Sequence, residues 1–260
     1  MRADPRINPV AVELPRLPPA FVGATIAVVA DLHAGPLRQG RAAVARLAEA
    51  VNSADPDLVV LLGDMVHHGR HAQAYLGGLA ALRAPLGRFA CLGNHEHGIV
   101  WYTRHLGPRW RTPLAAWRER YRQLGIELLV NEARAVHCGQ ARLWLVGVDD
   151  AYTSRADLAA ALQHTEEGDC NIAITHSPDL LGDPLAGRLD LVLAGHTHGG
   201  QICLPWLGPV WAPCRRPRQR AAGLVRQRFP AAYVTRGVGE GVPIRLGCPR
   251  EIPLIELRRA

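Results

Sequence analysis

Lysine is missing from this sequence. All 30 basic side chains are arginine, and that excludes two kinds of chemistry. A Walker A phosphate loop needs its lysine, and so does a Schiff base on an enzyme amine. Long apolar runs are missing too; none approaches the roughly eighteen residues of a membrane helix. Met1–Asp4 shows no basic segment leading into an apolar core, so no signal peptide is expected there. Six cysteines stand at 91, 138, 170, 203, 214 and 248, but no two are spaced as CxxC, which removes zinc-ribbon and thioredoxin-like readings. There is no GxSxG segment for a serine nucleophile. These absences point to a reducing, cytoplasmic setting. Lack of a span leaves open peripheral contact with the inner face of a membrane, and nothing here sets an oligomeric state.

What is present suits one globular domain over residues 1–260. Hydrophobic residues make up 48% of the chain, the ordinary share for a packed core. Cys91 and Cys170 border apolar runs and are expected inside. The formal net charge is +7. A GC-rich coding sequence would account for the all-arginine composition, but the positive field it creates attracts phosphates, nucleic acid or anionic lipid all the same.

Taken in order, residues 1–20 carry five prolines and suggest an extended lead-in with an edge strand at Val10–Leu14. Buried strands are expected at Thr25–Ala30, Leu58–Leu62 and Arg88–Leu92. Between them, Arg38–Ser53 places Val44, Leu47, Ala48 and Val51 on one helical face, and Ala72–Leu82 does the same with Tyr75, Leu76, Leu79 and Leu82. Three strand–helix units in a row argue for an α/β layer arrangement. Further on, helices are predicted at Pro113–Gln123 and Ala156–Gln163. Strands are predicted at Ile126–Val130, Ala133–His137, Arg142–Val148, Asn171–Thr175, Leu189–Ala194, Ala231–Thr235 and Ile252–Leu257. Residues 201–228 form an excursion rich in Arg, Trp and Pro.

Five of the apolar runs end in polar residues: Asp31-Leu32-His33, Gly63-Asp64, Gly93-Asn94-His95-Glu96, His176, and Gly195-His196-Thr197-His198. Each taken alone could be an ordinary turn or cap. Together they place nitrogen and oxygen donors beyond the carboxyl ends of strands, where open α/β sheets bind ligands. Imidazole with carboxylate suits Zn, Fe or Mn, whereas magnesium and calcium sites are built from oxygen. Two ions about 4 Å apart can share one carboxylate, and Asp64 is the natural bridge.

This ordered set, DxH, GD, GNHE, a lone His and GHTHGGQ, resembles the calcineurin-like metallophosphoesterase superfamily over residues 25–200. Gly147-Val148-Asp149-Asp150 and the segment from Arg245 to Ile252 are similar to its bacterial YaeI/YkuE-like branch. The resemblance implies a four-layer α/β/β/α sandwich of two mixed β-sheets and two divalent ions, manganese first, with iron or zinc as alternatives. It implies Asp31, His33, Asp64 and His198 as ligands of one ion and Asp64, Asn94, His176 and His196 as ligands of the other. His95 would stand by the leaving group. Glu96 takes a place where many relatives carry Asp, with a supporting role and little consequence expected. The reaction implied is phosphodiester hydrolysis, attack coming from a water activated between the metals. The alternative is cleavage of a lipid-linked pyrophosphate such as UDP-2,3-diacylglucosamine. A non-enzymatic scaffold is disfavoured by the complete ligand set.

Two segments rich in Arg and Trp follow the His95 and His198 loops. Arg104, Trp206, Trp211, Arg215 and Arg216 are the candidate substrate contacts from them, with Trp117 and Leu207 nearby in sequence. Exposed aromatics beside guanidinium groups would suit a lipid phosphoester at an anionic membrane. A solvated rim is the competing account. Nucleic-acid binding is less favoured, since no stacking motif accompanies the charge.

Overall fold

The computed structural model describes residues 4–36, 39–100, 107, 108, 110, 112–214, 221–225 and 230–260. The first sheet contains β1 (Arg6–Leu14), β2 (Thr25–Val29), β3 (Leu58–Leu62), β4 (Arg88–Cys91), β5 (Glu127–Leu128) and β14 (Glu251–Arg259), in the order β1-β14-β2-β3-β4-β5. β2 to β5 run parallel; β14 is antiparallel to β2 and parallel to β1. The second sheet has the order β12-β13-β9-β8-β7-β6. Its strands are β6 (Glu132–Cys138), β7 (Ala141–Gly147), β8 (Asn171–Ile174), β9 (Leu191–Ala194), β12 (Gly223–Val225) and β13 (Ala231–Val234). The four central strands are parallel, and an antiparallel strand closes each edge.

Strand side chains alternate between faces, and here they feed three separate cores. Ile26, Val28, Leu58, Val60 and Leu62 meet Leu143, Leu145, Ile172, Ile174, Leu191 and Leu193 between the sheets. The intervening Ala27, Val29, Val59 and Leu61 pack outward beneath α1 (Arg41–Ser53) and α3 (Leu114–Gln123), against Val44, Leu47, Trp117 and Tyr121. On the far side, Val146, Ala173 and Val192 take Leu158 and Ala161 of α4 (Leu158–Ala161) together with Leu180 and Leu181. Three apolar interfaces make four layers, two mixed β-sheets flanked by helices, as expected.

Local differences from the sequence expectations have physical causes. The helix predicted over Ala72–Leu82 is α-helical only at α2 (Ala72–Tyr75) and tightens to 3₁₀ geometry over Leu76–Ala81. Gly77-Gly78 removes helix propensity there, and an added Cβ at Gly78 would sit 3.0 Å from the Ala45 backbone nitrogen in α1. The lead-in forms a nine-residue strand from Arg6, longer than Val10–Leu14, because β14 supplies a partner along its whole length. The helix predicted at Ala156–Gln163 shrinks to α4, started by the Asp157 side chain accepting from the Ala160 amide. Trp117 is a core side chain at 2% exposure and not an exposed aromatic. Cys91 and Cys170 are buried, and all six thiols are free.

Leu193 on β9 is fully buried between the sheets and leads directly into the histidine-rich turn. Leu193→Ala is expected to destabilise the protein by about 2–5 kcal/mol, read as a lower midpoint in urea with an unchanged slope.

Candidate metal centre

The ends of β2, β3, β4, β8 and β9 converge, and every residue of the expected ligand set lies at that convergence. Asp31, His33, Asp64, Asn94, His176, His196 and His198 are all buried, none above 7% exposure. Backbone hydrogen bonds tie the strand ends together: the Asp31 amide to the Gly63 carbonyl, the His33 amide to the Asp64 carbonyl, and the Gly195 amide to the His176 carbonyl. Asp31, His33, Asp64, His196 and His198 all have positive φ, between 49° and 69°. Left-handed backbone at non-glycine residues is strained, and here the strain falls on the residues that present the donor atoms. Gly93 is needed for another reason: a Cβ there would lie 2.3 Å from Asp64 Oδ1.

Two foci emerge. At one, His33 Nε2 and His198 Nε2 face each other at 3.1 Å, with Asp31 Oδ1 3.6 Å from His198 Nε2. At the other, His176 Nε2 lies 3.0 Å from His196 Nδ1 and 3.1 Å from Asn94 Oδ1. Asp64 Oδ2 stands between them, 3.8 Å from His33 Nε2 and 3.4 Å from His176 Nε2. Neighbouring groups aim these atoms. His176 donates its Nδ1 proton to the Leu62 carbonyl, turning Nε2 inward. The Asn94 amide nitrogen donates to the Ile99 carbonyl, which leaves Oδ1 for the cleft. Asp31 Oδ2 accepts the His196 amide.

The electrostatics suit cations. Burial pushes the His33 and His198 imidazoles well below their usual range and His196 down to about 3, so each keeps a lone pair free. Burial, with Asp64 alongside, raises Asp31 to about 7. For Asp64 and His176 burial favours the neutral forms, but their mutual attraction prevails: Asp64 is held well below the usual carboxylate range and His176 well above its own. Asp31 Oδ1 and His196 Nε2 are buried with no hydrogen-bond partner among the described residues. Groups of ligand atoms within metal-binding reach form at Asp31-His33-His198 and at Asp31-Asp64-His176. The donors are imidazole and carboxylate, the set expected for divalent transition metals. They fit a dinuclear divalent-metal site.

Glu96 does more than the sequence suggested. Its buried carboxylate accepts the amides of Asp64, Met65, Gly93 and, at 3.4 Å, Val66. One side chain on the β4 loop thus clamps the whole β3 turn that carries Asp64. His95 donates its Nδ1 proton to the His67 carbonyl and leaves Nε2 3.9 Å from Asp64 Oδ2. His67 was not singled out from sequence, yet one nitrogen from each of His33, His67 and His95 falls within metal-binding reach of the others. The doubled histidine His67-His68, three residues past Asp64, was the available signal. Tyr152 was also missed; its ring centroid lies 4.4 Å from that of His196. Gln201 closes the motif and ties down a distant loop through Gly241, Val242 and Ile244.

A cavity of about 230 Å³ opens over the cluster. His33, Asp64, Asn94, His95, His196 and His198 line one side; Ile202, Val210, Trp211, Pro213, Val242 and Ile244 line the other. Trp206 is outside that lining, fully exposed at a hairpin tip. Arg104, Arg215 and Arg216 lie outside the described residues.

Residues 24–200 match the family model for calcineurin-like phosphoesterases. The chain is 31% identical to phosphodiesterase YaeI of Escherichia coli over 204 residues, covering 78% of this chain and 70% of that protein. It is 27% identical over 212 residues to the uncharacterized metallophosphoesterase YkuE of Bacillus subtilis, covering 80% and 70%. Among solved structures, the phosphopantetheinyl hydrolase PptH of Mycobacterium tuberculosis shares the fold, with a TM-score of 0.51 at 12% identity over 82% of this chain and 89% of that one. Fold, buried donor set and matched span agree: the chain is a metal-dependent phosphoesterase and belongs to the calcineurin-like phosphoesterase family.

Proposed function

We propose that the protein is a phosphodiesterase of the YaeI/YkuE-type branch, working with two divalent ions, of which manganese is the first choice and iron or zinc the alternatives. The observation that carries the two-ion reading is the position of Asp64 Oδ2, within 4 Å of an imidazole from each focus. Asp31, His33, Asp64 and His198 would hold one ion, and Asp64, Asn94, His176 and His196 the other. Bound there, two ions polarise phosphoryl oxygens and make water a competent nucleophile near neutral pH.

The remaining work falls to the protein's own groups. His95 presents Nε2 to the cleft because its other nitrogen is committed to the His67 carbonyl. In the protonated state it donates to the ester oxygen that leaves. Trp110 fixes the same loop by donating to the His95 carbonyl at 3.1 Å while stacking on His68. Glu96 keeps Asp64 from swinging out of the cleft. The diester reading agrees with the name of the YaeI relative. A lipid-linked pyrophosphate such as UDP-2,3-diacylglucosamine is the second reading, favoured by the apolar wall of Trp211, Val242 and Ile244 beside the donor cluster.

Elemental analysis of the purified protein is expected to find two divalent ions per chain, and chelation should abolish hydrolysis of bis(p-nitrophenyl) phosphate. Undiminished activity in metal-free protein would overturn the assignment. In calorimetric titrations with Mn²⁺, Asp64→Asn should impair both binding events and His33→Ala mainly one; loss of the same single ion in both would misplace the bridge. His95→Asn should retain both ions and lose about 10²–10⁴-fold in kcat, most for poor alkoxide leaving groups and least for nitrophenolate. An equal loss across leaving groups would remove His95 from the proton-donor role. Glu96→Gln, which cannot accept four amides as an anion, should lower manganese affinity while circular dichroism stays native; unchanged affinity would reduce Glu96 to a packing residue.

A further inference from the structure

Twelve large apolar side chains are exposed among the described residues, and all but Val22, Leu114 and Leu185 lie on two loops beside the metal cleft. The first loop contains the hairpin of β10 (Cys203–Leu204) and β11 (Gly208–Pro209). It shows Leu204 at 41% exposure, Trp206 at 105% and Leu207 at 70%. The second carries Val242, Ile244 and Leu246, each close to half exposed or more. A contiguous apolar surface of this kind on a soluble fold marks an interaction site.

Hydrogen bonds join the two loops. Gln201 donates to the Val242 and Ile244 carbonyls at 2.6 and 2.7 Å and accepts the Gly241 and Val242 amides. The Cys203 amide donates to the Leu246 carbonyl, and the Leu246 amide to that of Gln201. Four bonds from one side chain hold an apolar loop in place next to the metal-binding motif. Trp206 has φ +67° at the hairpin tip, a conformation in which glycine or asparagine would be unstrained. A fully exposed tryptophan in a strained turn gives folding nothing, so its use lies outside the fold.

We infer that these loops are a lipid-docking platform: they enter the interfacial layer of an anionic bilayer and bring the metal cleft down onto phosphoesters held there. The inference rests on the phosphodiesterase reading for its substrate, although the docking itself does not. Three observations favour a bilayer over a protein. The apolar wall of the cavity, Ile202, Val242 and Ile244, is continuous with the platform, so a protein seated there would cap the cleft, whereas a lipid layer would supply it. The tip of the hairpin is convex, with Trp206 and Leu207 projecting; a penetrable layer receives such a wedge, and tryptophan favours the headgroup region. The formal charge of +7 complements an anionic surface.

The test uses the full, metal-loaded chain and sedimentation with two kinds of vesicle, phosphatidylcholine alone and phosphatidylcholine with phosphatidylglycerol. Wild-type protein should sediment with the anionic vesicles and more weakly with the neutral ones. Leu207→Ser/Leu246→Ser and, separately, Trp206→Ser should weaken partitioning by about tenfold or more. The double-serine variant should keep wild-type kcat/KM on bis(p-nitrophenyl) phosphate without vesicles, since neither residue lines the cavity. Wild-type protein that stays off both vesicles while hydrolysing the soluble ester overturns the platform and leaves the phosphodiesterase reading. Vesicle binding without hydrolysis of any diester does the reverse. A concentration-dependent dimer in sedimentation velocity, lost in the variants, would make the patch a contact between copies and also overturns the inference.

Discussion

Everything at the metal centre depends on where one carboxylate stands, and that is set by another. Asp64 sits on a positive-φ turn after β3, buried among three histidines. Left to itself, a buried anion on a strained turn would rotate toward solvent or take up a proton. It does neither: Glu96 gathers the amides of the turn and of Gly93 beside it, and the neighbouring His176 keeps the carboxylate ionised against its burial. The His95 amide binds Asp64 Oδ1 from the other side. Trp117 joins the helical layer to this support by donating to the Glu96 carbonyl. The charges of the site are thus held by backbone amides in the turns that follow β3 and β4.

The two sheets have different tasks. The first brings Asp31, His33, Asp64, Asn94 and His95, mostly on strained turns; the second brings His176, His196 and His198. Their contact is more than apolar packing, since His176 bonds to the Leu62 carbonyl and Asp31 receives the His196 amide across the interface. The two foci therefore form only when both sheets are in register with one another. Burial of so many ionisable groups opposes folding until cations enter, so metal binding and stability are linked.

Much of this was legible in the sequence because the signals were strong and local. Buried parallel strands announce themselves as short β-branched runs, and each here ended at a polar residue whose chemistry was plain. Because these strands are apolar on both faces, their sequence does not show which side chains feed which of the three cores. Other features were hidden by distance or by geometry. The 3₁₀ stretch at Leu76–Ala81 was masked by a sound apolar period, with Gly77-Gly78 the only warning. Trp117 looked like a surface aromatic among arginines, while its i+4 partner Tyr121 showed the buried face. Glu96 as a clamp, and Gln201 as a tie between loops forty residues apart, rest on contacts that no spacing rule reveals. His67 was passed over because the His67-His68 pair lies beyond the Gly63-Asp64 strand end and fills no position of the ordered motif set.

The placement of β14 has a consequence for how the molecule is made. This strand lies between β1 and β2, and it is the last of the described strands in sequence. Until it is synthesised, β1 has no partner, and β2 presents a bare edge of unpaired amides and carbonyls right beside Asp31. Such edges invite pairing with other chains, and a contact of such long sequence separation forms slowly. A nascent chain with every metal ligand already translated still lacks its closing strand. Removing β14 would leave the β2 edge next to the ligands unpaired, the kind of bare edge that other strands can join.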